Sequence, residues 1–109
     1  MAYDQNLEAR IRMILENETG VVEKKMFGGV GFLVNGNMAC GVHGNDLIAR
    51  VGLENHAASV AKPHVKEFDM TGHPMAGWVQ VSPAGITRDE DLFEWVRKGM
   101  YYAKTLPAK

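Results

Sequence analysis

Apolar residues recur in the first part of the chain at the spacing of an α-helix. The positions are Leu7, Ile11, Ile14 and Leu15. They stand at i, i+4, i+7 and i+8, so a helix of 3.6 residues per turn places them on one stripe. Asp4 precedes the stripe as a suitable N-cap, and Gly20 follows it as a C-terminal stop. The pattern predicts an N-terminal helix with one face on a core.

Beyond Gly20 the apolar period changes to two, which is typical of β-strands. Four strands are predicted, over 21–27, 30–34, 38–42 and 47–51. Asn35-Gly36 stands between the second and the third, and this pair suits the two positive φ angles of a type I′ hairpin turn. Such short connections join antiparallel strands, because a parallel crossover needs a dozen or more residues.

The second half of the chain predicts a short helix over 53–61, brief strands over 67–70 and 78–81, and a long final helix. Thr87 and Glu90 have the spacing of a capping box at the start of that helix. Its predicted buried face is Leu92, Trp95, Val96, Gly99 and Ala103. The predicted order is α-β-β-β-(β)-α-β-β-α. This is a two-layer α+β fold, an antiparallel β-sheet flanked by helices, in one domain over 1–109.

Charge and composition argue against two classes of protein, those that bind nucleic acid and those that enter a membrane. The 109 residues carry 12 basic and 13 acidic side chains, a net charge of −1. Proteins that grip nucleic acid through its phosphates have a basic excess, so direct nucleic-acid binding is not expected. No apolar run approaches the roughly 20 residues that span a bilayer, and the N-terminus lacks a signal-peptide core. We expect a cytoplasmic protein that does not enter a membrane.

The most unusual segment is glycine-rich and runs from Met26 to Phe32. A phosphate-binding loop would continue into Gly-Lys-Ser/Thr and a helix, whereas a strand follows here. The segment therefore indicates a bend or bulge where backbone packs closely. Together with a later turn and a tryptophan, it forms the candidate ligand or partner surface. The candidate residues are Met26, Phe27, Gly28, Gly29, Gly31, Gly72 and Trp78.

No residues have the spacing of a catalytic or metal site, so neither a catalytic residue nor a cofactor is expected. The four histidines do not pair at ligand spacing. Cys40, the single cysteine, lies in an apolar strand and is interpreted as a buried structural thiol. Trp78 and Trp95 are expected in the core, although an exposed tryptophan would indicate an interface.

Several segments together resemble the TfoX N-terminal-domain family, named for the competence regulator also called Sxy. They are residues 26–32, Asn35-Gly36, residues 47–51, residues 68–75, Gly77-Trp78-Val79 and residues 95–103. The resemblance covers essentially the whole chain. It implies a two-layer α+β fold and a regulatory role in competence or transcription. Longer members carry a second domain, whereas this sequence stops after Lys109, so their activity does not transfer directly.

Three functions remain open at this point. The first is a non-enzymatic regulatory or protein-interaction domain, which binds a second copy of itself or a regulatory protein. The second is a small-ligand-binding protein or an unrecognised enzyme that uses the glycine-rich loop. A Gly29→Val variant is expected to lose such a ligand and to keep its fold. The third, direct DNA binding, is opposed by the charge balance.

Overall fold

The computed structural model describes residues 3–26, 28–69 and 74–108. Its order of elements is α-β-β-β-β-α-β-β-α, which confirms the predicted order and the α+β class. The helices are α1 (Gln5–Ile14), α2 (Leu53–Val60) and α3 (Asp89–Lys104). The strands are β1 (Val21–Met26), β2 (Gly29–Val34), β3 (Asn37–His43), β4 (Asp46–Arg50), β5 (Val65–Asp69) and β6 (Pro74–Val81).

The six strands form one antiparallel sheet in the order β1-β2-β3-β4-β6-β5. The β2–β3 hairpin closes on Val34 opposite Asn37. Its two loop residues, Asn35 and Gly36, have φ angles of 53° and 84°, which confirms the predicted turn. The register slips between Phe32 and Leu33, so β3 carries one extra residue, Ala39, at a β-bulge.

All three helices pack on the same face of the sheet. Their apolar residues and the alternate residues of β2, β3, β4 and β6 form one continuous core. The largest fully buried members include Phe32, Ile11, Leu47 and Leu92. The predicted stripes of α1 and α3 are confirmed, with Ile14 only partly buried at the margin. The structure is therefore a helix layer on a sheet whose second face has no helix over it.

Polar contacts fix two of the helices on the sheet. Arg12 of α1 reaches Glu23 of β1 through two hydrogen bonds, of 2.9 and 2.7 Å, in the fork geometry that arginine offers a carboxylate. These bonds lower the pKa of Glu23. The backbone N–H of Gly77 in β6 donates to Nδ1 of His56 in α2, at 2.7 Å. His56 thus has a structural role, as a hydrogen-bonded histidine between layers.

The structure corrects two predictions about where a helix begins or ends. Asp4 caps α1 as predicted and accepts from the N–H groups of Asn6 and Leu7, but α1 ends at Ile14, well before Gly20. The capping box at α3 is wrong, because Arg88 is the N-cap and Glu90 stands one position too early. The Thr87 hydroxyl instead donates to the carbonyl oxygen of Pro83, in a short 3-10 turn.

The centre of α3 makes a close backbone contact with the sheet. Gly99 faces the bulge in β3, and a Cβ atom at this glycine would lie 2.2 Å from the carbonyl oxygen of Ala39. Carbon and oxygen cannot approach so closely, so a side chain at this position must push the helix outward. The bulge and the glycine together allow α3 to lie deep in the core.

Helix propensity and packing predict opposite effects for Gly99→Ala. Propensity alone would stabilise the protein by about 1 kcal/mol, since alanine favours a helix over glycine. The contact with Ala39 should outweigh that gain and destabilise the protein by about 1–3 kcal/mol, as overpacking does. Urea unfolding measures the difference. Tyr101→Ala, on the exposed side of the same helix, should change stability by only about 0.5 kcal/mol, and a stabilised Gly99→Ala protein would contradict this packing.

Candidate functional site

The helix-free face of the sheet has an apolar, concave region. Along each strand every second side chain points away from the helices, and on β2, β3 and β4 these include Leu33, Met38 and Ile48. Ile48 is only 2% exposed, yet it does not belong to the core under the helices. A solvent-facing sheet face normally carries polar residues, so this face calls for a functional explanation.

The concave part of this face forms a pocket of about 380 Å³, here called the sheet groove. Its lining side chains are Met26, Leu33, Met38, His43, Ile48, Arg50, Phe68, Met75 and Trp78. Most of these side chains are apolar, and Gly29, Val30, Gly36 and Val42 complete the lining. Volume and composition fall within the range of pockets that bind small molecules or the side chains of a partner.

Two glycines lie beneath the methionine side of the sheet groove. Gly31 of β2 lies directly opposite Gly41 of β3, and the methyl group of Met38 occupies space over both of them. A Cβ atom at Gly31 would lie 3.1 Å from the methyl carbon of Met26 and 3.2 Å from that of Met38. Both methionines line the groove with flexible, polarisable side chains, which adapt readily to different ligands.

Aromatic rings form the opposite wall. The ring centroids of Phe68 and Trp78 are 6.4 Å apart, and His43 meets Phe68 edge-on at 6.0 Å. Phe68 is buried and Trp78 is partly exposed. Such tilted and edge-on pairs are the favoured arrangements of aromatic rings. The wall is thus rigid where the methionine side is flexible.

Arg50 is the one permanently charged side chain of the described lining. It lies opposite Trp78 across β4 and β6. Its guanidinium carbon is 5.1 Å from the Trp78 ring centroid and 5.5 Å from that of Tyr102 on α3. Both contacts fall within the range of cation–π attraction. Among the described residues, no carboxylate forms an ion pair with this guanidinium.

The structure brings together three of the predicted site residues. Met26, Gly29 and Trp78 line the sheet groove, whereas Gly31 lies beneath the ends of Met26 and Met38. Gly28, with a φ of 76°, lies in the exposed turn before β2 and does not line the pocket. Phe27 and Gly72 lie outside the described residues. Trp95 is in the core as expected, whereas Trp78 lies on the other face and borders the pocket.

Most of the lining was not predicted from the sequence. The residues that were not predicted are Val30, Leu33, Gly36, Met38, Val42, His43, Ile48, Arg50, Phe68 and Met75. Two features of the sequence indicated these residues. The first is that β2 and β4 are apolar at consecutive positions and so present apolar side chains on both faces of the sheet. The second is Arg50, a charged residue at the end of an apolar strand.

The remaining titratable candidates have structural surroundings. Cys40 is fully buried in β3, and burial raises the pKa of its thiol to about 12. It therefore stays protonated and unreactive at neutral pH, as expected of a structural thiol. Within residues 3–26, 28–69 and 74–108, no group of three His, Cys, Asp or Glu side chains is placed to hold a metal ion.

Comparison with known proteins assigns the family. A family model described as the TfoX N-terminal domain matches residues 14–103. The chain belongs to the TfoX N-terminal domain family. No curated protein and no solved structure matches it. The matched range of this TfoX domain contains every element from β1 to β6 and almost all of α3, so the whole sheet groove lies inside it.

Across the described part of the chain, every helix is too short or too polar to cross a membrane.

Valine substitutions at Gly29 and Gly31 should have different effects, because one should disrupt the fold and the other should only fill the groove. A Cβ atom at Gly29 would lie 2.1 Å from the carbonyl oxygen of Val42. Gly29→Val should therefore break the β2–β3 pairing, contrary to the expectation that this variant keeps its fold. A side chain at Gly31 first meets the flexible ends of Met26 and Met38, so Gly31→Val should fold and fill the groove by pushing these methionines into it. Circular dichroism and thermal melting measure both, and a stable Gly29→Val protein would refute the close contact.

Proposed function

We propose that this TfoX N-terminal domain is a non-enzymatic regulatory domain that acts by binding another protein, and that the sheet groove is its binding surface. The observation that supports the proposal is the apolar, concave face opposite the helices. Interface centres are depleted in charge and enriched in aromatic residues, methionine and arginine, which is the composition of this lining. We further propose that it works in the cytoplasm.

The shape of the sheet groove favours a partner with a protruding apolar group. In a symmetric dimer the same patch meets itself, so two grooves would face each other concave to concave. Their arginines would also add like charge at the contact. A protruding apolar side chain of a regulatory protein fits the sheet groove beside Met26 and Met38 better than a second copy does.

A second copy remains a candidate partner through a different surface. Phe93 and Tyr101 on the outer side of α3 are 46% and 73% exposed. Together with Ile14 of α1 they border a shallow cleft between the two helices. Exposed apolar residues that cluster in this way are typical of protein contacts. Self-association through α1 and α3 would leave the sheet groove free.

Site-specific photocrosslinking in living cells tests both surfaces at once. His43 at the exposed rim of the groove is replaced by benzoylphenylalanine in one strain, and Tyr101 on α3 in another. The proposal predicts one discrete protein adduct from position 43. Combining that replacement with Gly31→Val should remove the adduct, because the filled groove no longer accepts the partner side chain. Position 101 serves as the control, and its adducts should be insensitive to Gly31→Val.

The possible results separate the candidates. An adduct of twice the chain's mass from position 101 supports a dimer through the helices. The same mass from position 43 would assign the groove to a second copy and would contradict the argument from shape. No adduct at position 43, or one that persists with Gly31→Val, would overturn the assignment of the groove as the partner-binding surface.

A further inference from the structure

We propose that the sheet groove binds a small apolar monocarboxylate, whose carboxylate pairs with Arg50 and whose apolar body lies between the methionines and the aromatic wall. The inference rests on the proposed function only in that the groove is a binding surface. It adds a ligand of defined chemistry, which would compete with a protein partner for the same space.

The surroundings of the Arg50 guanidinium favour a ligand that carries a carboxylate. Its guanidinium lines the groove between the rings of Trp78 and Tyr102, at 5.1 and 5.5 Å. Both rings hold the guanidinium by cation–π attraction, and among the described residues no hydrogen bond from its N–H donors is found. Arginine presents these donors as a planar fork that fits a carboxylate through two parallel hydrogen bonds. Within residues 3–26, 28–69 and 74–108 this fork has no carboxylate partner.

The charge of the site favours a monoanion. Phosphate groups carry more charge and are usually bound by several cations or a helix N-terminus. Among the described lining residues Arg50 is the only arginine or lysine, and all three helices pack on the opposite face. One positive charge in an apolar groove matches one negative charge on the ligand, since further charge would be buried without a partner.

The dimensions of the groove determine the rest of the ligand. A volume of about 380 Å³ accommodates a body the size of an aromatic ring with a short aliphatic chain. Phe68 and Trp78 offer faces and edges to a ring, and Met38 adapts to its shape. An aryl-substituted short-chain carboxylic acid, or an aliphatic acid of similar size, fits this description.

A pair of isosteric probes tests the inference on the native chain. Phenylbutyrate and phenylbutyramide have the same apolar body and differ in charge. Each is titrated into the isotope-labelled protein, and amide NMR shifts are followed at Gly31, Gly41 and the Trp78 indole. The carboxylate should bind about tenfold more tightly than the amide, as expected for a charge-assisted hydrogen bond. Shifts at α1 and α3 should be small by comparison.

Variants at Arg50 assign the effect to this residue. Arg50→Gln should remove the tenfold preference and leave binding of the amide unchanged, whereas Arg50→Lys should keep part of it as a point charge. The dispersion of each spectrum reports whether the variant is folded, and the comparison of acid with amide in the wild type needs no variant.

Each other result overturns the inference in a recognisable way. Equal affinity for acid and amide would refute carboxylate recognition while leaving the groove as an apolar binding surface. A preference for the acid that survives in Arg50→Gln would refute the role of Arg50. Failure of both probes to shift the groove resonances would refute the small ligand. The crosslinking experiment on a protein partner would still decide the proposed function by itself.

Discussion

Three helices cover one face of a six-stranded sheet, and this one-sided packing governs everything else about the molecule. It is made possible by a backbone contact at the centre, where Gly99 of α3 rests against the bulge at Ala39. Close contact at that point lets Phe32, Leu47 and Leu92 reach a common core. Apolar burial in this core is the main source of stability, and it uses only half of the side chains of the sheet.

The apolar side chains on the helix-free face must therefore either cover one another or stay exposed to a ligand. Some of them are covered and others are exposed. Ile48 and Phe68 are covered by their neighbours, while Met38 lies over the glycine pair Gly31 and Gly41 and lines the open groove. The glycine-rich segment has a structural effect and a functional one. It brings backbones close together at Gly29, and at Gly31 it leaves room for the methionines that line the groove.

Much of this fold could be predicted from local patterns, and the exceptions have physical causes. The turn at Asn35-Gly36, the Asp4 cap and the stripes on α1 and α3 depend on neighbours in the sequence, and each is confirmed. The capping box at α3 was wrong because the helix begins one residue later than predicted, with Arg88 as the N-cap, while the Thr87 hydroxyl donates to the preceding turn. The residue at which a helix begins depends on tertiary geometry, which sequence spacing does not contain.

Only a small part of the candidate site was predictable, for the same reason. Glycines stand out in a sequence, so Gly29 was found. Met38, Ile48 and Arg50 did not stand out, because the sequence does not specify which face of a strand the helices will cover. Trp78 shows the difficulty most clearly. Its partner residues Arg50 and Phe68 come from two other strands, and only the strand order β4-β6-β5 brings them beside it.

Solvent accessibility of the methionine methyl groups is the most direct test of the one-sided architecture. Isotope-labelled methionine methyls are observed by NMR in the dilute free protein, with and without a neutral nitroxide that broadens the signals it can approach. Met38 and Met75 line the groove, whereas Met100 of α3 is buried in the core. The account predicts strong broadening of the first two methyls and almost none of the third. Equal protection of Met38 and Met100 would contradict an open groove on the helix-free face.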